Sequence, residues 1–215
     1  MATYLSLVNS VLARLRESSV ATVTTNDYSS LIGKFVNDSK RAVEDSWNWD
    51  CLSTTITLSL VQGTSNYVVT GSGRRQKDVT VNDTSSQARV HNVPAKWIED
   101  QQQLSNVQTG SPVYYAWDGF DGTDSKMTFF PTPDAAYTVK VNLIVPQVEL
   151  ASDGDVILVP SEPVILGAYA RALVERGEDG GLNSSEAYGL YKSSLSDHIA
   201  LEAHRQDENT QWVVC

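Results

Sequence analysis

Apolar residues recur every three or four positions near the start of the chain, at Tyr4, Val8, Val11, Leu12 and Leu15, while Arg14, Arg16 and Glu17 fall off that stripe. This is the helical period, and the hydroxyl of Thr3 stands where it can cap the first turn. After a Ser/Thr-rich connector at 18–25, the capping residues Asn26 and Asp27 open a longer run, Tyr28, Ile32, Phe35, Ser39, Ala42, Val43 and Trp47, that ends near Asn48. The spacing predicts a helical hairpin with facing apolar stripes.

From Cys51 the period shortens to two: Ile56, Leu58 and Leu60 alternate with Thr55, Thr57 and Ser59, as in a half-buried strand. Gly63 marks a turn, 67–69 answers as a second short strand, and Gly71, Gly73, Arg74 and Arg75 read as a mobile basic loop. Val79 and Val81, then 89–93, predict further strands, and 94–104 a short helix with Trp97 and Ile98 packed inward. Segments 113–117, 126–131 and 137–145 read as a β-meander, followed by a surface connector at 146–160 with Asp153, Gly154 and Asp155 at its tip.

The helical period then returns in Ile165, Ala168, Tyr169, Ala172 and Leu173, stopped by Gly177, Gly180 and Gly181. Asn183 and Ser184 are placed to cap a last helix carrying Tyr188, Tyr191, Leu195 and Ile199. Helices at both ends with strands segregated between them give the α+β class. The expected architecture is a helical bundle built from both chain ends, 1–50 and 160–206, with an inserted antiparallel β-rich domain at 51–159 and a tail at 207–215.

Composition narrows the function. A formal net charge of −10 argues against a phosphate-neutralising surface, although a weakly repulsive wall also suits a channel through which DNA slides. The two cysteines, Cys51 and Cys215, supply no disulfide framework, and a reducing cytoplasm is the expected place of synthesis. No signal-peptide pattern opens the chain and no stretch approaches the ~20 apolar residues of a membrane span, so a soluble chain without membrane association is expected.

Catalytic and metal patterns are weak. Gly63-Thr64-Ser65-Asn66-Tyr67 lacks the second glycine of a nucleophile elbow, and no Gly-Lys-Ser/Thr follows Gly71 and Gly73. His198, Glu202 and His204 read as solvated helix surface rather than a metal site. Asp118, Asp121 and Asp124 read as a hairpin turn, because a calcium loop spaces its ligands by two and ends in Glu. The expectation is no enzyme, no cofactor and no metal.

Three passages carry a resemblance. The opening Tyr4-Leu5-Ser6-Leu7-Val8-Asn9-Ser10-Val11-Leu12-Ala13-Arg14-Leu15, with the helix ending Trp47-Asn48-Trp49-Asp50, resembles the start of tail tubular protein A, the adaptor of short-tailed phages. The stretch from Met127 through Phe130-Pro131-Thr132-Pro133 to Val141 is similar to a strand-turn-strand passage of phage adaptor and neck proteins, and Val159-Pro160-Ser161-Glu162-Pro163 similarly opens a helix. The resemblance implies a structural virion protein, a head-to-tail adaptor. In that family a ring, usually of twelve copies, is stacked between the portal protein and the tail nozzle protein, with DNA passing non-specifically through its middle.

Trp212, Val213 and Val214 are an apolar tip on a polar tail and are the first candidates for partner binding, through a groove on the portal or a neighbouring subunit. Trp117 and Phe120 are candidates for the nozzle, with the β core as the alternative for Trp117. Arg74 and Arg75 are candidates for an acidic neighbour or DNA. A tail-associated, β-rich carbohydrate-binding module is the alternative function, favoured by an exposed aromatic platform in the middle region; a small hydrolase with an unrecognised site is a third.

Overall fold

The computed structural model describes residues 2–104, 108–177 and 182–205. Its described residues form five α-helices and a seven-stranded sheet, a mixed α+β architecture. Two compact units divide the chain: Met1–Cys51 with Gln147–Cys215, and Leu52–Pro146.

In the first unit, α1 (Tyr4–Arg14) and α2 (Asp27–Ser46) each start in a capping box, Thr3 with Ser6 and Asn26 with Ser29. Trp49 is buried and its indole N–H donates to the Val43 carbonyl (2.7 Å), satisfying an end carbonyl of α2. Gly33 permits close helix approach: a Cβ there would lie 2.4 Å from the Tyr4 hydroxyl and 2.9 Å from Val23. Helix α4 (Ser161–Arg176) packs against α1, α2 and α5 (Leu182–Arg205). Its buried face therefore differs from the predicted stripe: Val164, Leu166, Gly167 and Ala170 are buried with Ala168 and Ala172, whereas Ile165, Tyr169 and Leu173 are only half-buried. Gly177, at φ 63°, ends α4 in the left-handed conformation open to glycine; Gly180 and Gly181 lie outside the described residues. Asn183 and Ser184 fall inside the first turn of α5 rather than before it.

The segment after Pro146 is not the surface connector that its polar tip predicts. Leu150, Ile157 and Val159 are buried, and the backbone is strapped to the helices. Lys40 of α2, itself 2% exposed, donates to the carbonyls of Gln147 (2.8 Å) and Val148 (3.0 Å) and pairs with Glu44 at 2.9 Å. One turn earlier, Asn37 donates to the Leu150 carbonyl (3.0 Å) and accepts from its N–H (2.9 Å). Asp155 folds the tip by accepting from the N–H groups of Ala151 and Ser152, both at 2.8 Å.

The second unit contains β1 (Ser53–Leu60), β2 (Asn66–Val68), β3 (Lys77–Asp83), β4 (Ala88–Asn92), α3 (Ala95–Gln102), β5 (Tyr114–Phe120), β6 (Ser125–Phe130) and β7 (Tyr137–Ile144). The strand order is β1-β7-β3-β4-β5-β6-β2. Three expectations fail here. Strand β2 pairs with β6 rather than answering β1, β7 leaves the β5–β6 hairpin to pair between β1 and β3, and β4 runs parallel to β5 within an otherwise antiparallel sheet. The parallel pair exists because α3 carries the chain back before β5 begins. Leu58 of β1 and Phe129 of β6, far apart in strand order, share one core with Val81, Val139, Val141 and Met127, so the sheet curls over that face. Alternate residues Ala116 and Phe130 face the other way and pack with Ile98 of α3.

Lys40→Met leaves the Glu44 carboxylate buried and two carbonyls without their donor, so it should destabilise the helical unit by about 3–5 kcal/mol. Glu44→Gln keeps the ammonium bonded to both carbonyls and should cost less than half as much. Urea titrations followed by the helical circular-dichroism signal test the order; equal losses would show that the carbonyl clamp contributes little.

Candidate assembly surfaces

Gly71 and Gly73 both adopt positive φ, 89° and 62°, which lets the 71–75 segment fold tightly against the β5–β6 turn. Ser72 is fully buried and accepts from the Ser125 N–H (3.1 Å), Ser125 returns a hydroxyl bond to the Gly73 carbonyl (2.8 Å), and the Gly73 N–H donates to Asp124 (2.9 Å). The segment expected to be a mobile loop is thus tied at three points. It places the Arg74 guanidinium 5.4 Å from the centroid of the Phe120 ring, with Phe120 still 39% exposed. Arg75 is exposed beside it. A guanidinium backed by an aromatic face offers a neighbouring chain a planar cation suited to carboxylates.

Trp117, by contrast, is half-buried against the β core. Trp212, Val213 and Val214 lie outside the described residues. The aspartates of the turn have structural work: Asp121 accepts from the N–H groups of Thr123 (2.8 Å) and Asp124 (2.7 Å), and these bonds hold its carboxyl below the ordinary range. No group of three His, Cys, Asp or Glu that could hold a metal occurs among the described residues. Glu202 is not solvated helix surface as predicted; it is buried and accepts from the Asp50 N–H (2.9 Å). His204 is exposed, and His198 meets the Ser194 carbonyl at 2.8 Å.

Two surfaces escaped the sequence reading. Between α2, α4 and α5 lies a groove of about 640 Å³ lined by Phe35, Gly167, Ala170, Arg171, Val174 and Tyr188. Val174 is 68% exposed and Tyr188 52% exposed, so Tyr188 stands apart from Tyr191 and Leu195, the buried members of its helical stripe. On the other side of α5, Leu190 borders a second groove with Arg14, Leu166 and Asp197, and Leu201 is also exposed. At 3.6 residues per turn, Leu190 and Leu201 lie within about 20° of each other, whereas Tyr188 is about 160° from Leu190. Helix α5 therefore shows apolar side chains on two opposed faces. The small residues Gly167 and Ala170, three apart in α4, were the only local sign of the first groove.

A family model, SU10 adaptor protein, matches residues 2–214. The chain belongs to the SU10 adaptor protein family. The expectation of a phage adaptor, drawn from the terminal helices and the strand-turn-strand passage, is met. The adaptor is a structural protein of the bacteriophage virion neck. No curated protein matches it. None of its described helices is long and apolar enough to cross a membrane.

The carboxyls of Asp121 and Asp155 are both lowered by backbone N–H donors from an ordinary value of 3.8. A lowered folded-state value means that the contribution is complete above the unfolded value and lost as pH falls through the folded one. The amides of Thr123, Asp124, Ala151 and Ser152 should be protected from hydrogen exchange at neutral pH and lose that protection only as pH falls through the lowered carboxyl values, below the ordinary 3.8. Asp121→Ala should abolish it for Thr123 and Asp124 alone at neutral pH.

Proposed function

We propose that the adaptor closes into a ring of twelve copies between the portal protein and the tail nozzle protein, with DNA passing through its lumen. The family match over residues 2–214 carries this reading. The two apolar faces of α5 support the ring, because two different complementary patches make a head-to-tail contact that closes around an axis, whereas one self-complementary patch makes a dimer. In this reading the helical unit forms the ring wall. The Arg74–Phe120 tip, with Arg75, meets the nozzle, and Trp212, Val213 and Val214 anchor the tail to the portal or a neighbouring subunit. The net charge of −10 keeps contact with DNA weak.

The carbohydrate-binding alternative needs a flat, exposed aromatic platform. Trp97 instead meets Tyr114 (5.0 Å between centroids) and Phe130 (5.6 Å) edge to face, at 65° and 90°. That geometry favours packing over sugar stacking.

Native mass spectrometry of the adaptor mixed with portal rings from the same phage should give a closed complex carrying twelve copies. A chain that stays monomeric and ignores the portal would refute the ring. Arg74→Glu should leave the ring on the portal intact and reduce nozzle recruitment in a pull-down at least tenfold; undiminished recruitment would remove the tip from the nozzle contact.

A further inference from the structure

We infer that the groove between α2, α4 and α5 receives the Trp212-Val213-Val214 segment of the next copy in the ring, which rests on the ring reading above. The groove has the properties of an indole site. Gly167 and Ala170 keep its floor low, Phe35 and Tyr188 give it aromatic walls, and Val174 leaves an apolar rim in water. The charge on its lining is balanced, one Arg171 against one Glu175, so apolar and aromatic surface rather than charge sets what it receives.

Reach decides between the chain's own groove and its neighbour's. The groove borders Ser184, Ser185 and Tyr188, in the first two turns of α5, whereas the tail departs from Arg205 at the far end. At a rise of about 1.5 Å per residue, Arg205 stands about 25 Å from Tyr188 and about 31 Å from Ser184. The seven residues from Arg205 to Trp212 span at most about 25 Å when fully extended. A chain returning along its own helix must also reverse direction, which uses about two of them and leaves roughly 17 Å. Trp212 falls short of its own groove and meets no such limit toward an adjacent copy. The contact is heterologous, a tail on one side and a groove on the other, as ring closure requires.

The test uses full-length chains with Cys51→Ser and Cys215→Ser, assembled on portal rings. One tagged population carries Ser185→Cys at the groove rim, the other Val213→Cys beside the anchor. Mild oxidation of mixed rings should give disulfide-linked pairs containing both tags. The yield should fall at least tenfold with Trp212→Ala in the donor or Val174→Glu in the receiver, and persist with Trp212→Phe. A chain carrying both cysteines should link between copies; a purely intramolecular product would overturn docking in trans. Rings that form normally without the mixed product would mean that another segment fills the groove, overturning this inference while the ring stands. Failure of unsubstituted chains to form rings would remove the ring reading and this inference with it.

Discussion

The helical unit depends on one buried cation. Lys40 lies in the middle of α2 with almost no exposure, and desolvating its ammonium is tolerable only because Glu44 and the carbonyls of Gln147 and Val148 surround it. Those carbonyls belong to the residues with which the chain returns to the helices. Asn37 continues the same line of attachment at Leu150, and Asp153 extends it by accepting from the Val23 N–H at 3.0 Å. A charge that stays buried only when 147–150 is in place couples the N-terminal helices to a segment more than 100 residues later. Helices α4 and α5 follow directly from that segment.

Packing around α4 extends this dependence. A helix contacted by α1, α2 and α5 has little surface left for polar residues, and small side chains let the neighbours approach. Gly167 lies where a Cβ would be 3.1 Å from the Ser39 hydroxyl and 3.2 Å from Tyr191. The same small residues that admit close packing deepen the groove beside Phe35 and Tyr188, so one feature of α4 shapes both the core and an exposed groove. In the β unit, glycine has a comparable double use: positive φ at Gly71 and Gly73 folds the segment onto Asp124 and Ser125 and delivers Arg74 to Phe120.

Exposed apolar surfaces of this kind leave faint traces in a sequence because they lack reacting groups. A catalytic site concentrates titratable residues at marked spacings, whereas a ring contact needs complementary shape and exposed apolar area. Tyr188, Leu190 and Leu201 look like ordinary helix residues until the fold shows that each is more than half exposed. The family match supplies the biological setting, and α5 carries exposed apolar side chains on two opposed faces.

Features that act over one turn of helix or two residues of strand were determined by the sequence alone. The capping boxes at Thr3 and Asn26, the buried stripe of α1, the stop at Gly177 and the alternation of β1 all follow from contacts within about four residues. Only the tertiary structure decided that β7 lies between β1 and β3, that β4 and β5 are parallel, and that Lys40 and Glu202 are buried. The physical reason is distance along the chain. Leu58 pairs with Val139, and Lys40 meets Gln147, through contacts whose partners local periodicity cannot name. A polar residue in a helical pattern reads as solvent-facing until a distant backbone arrives to bond it.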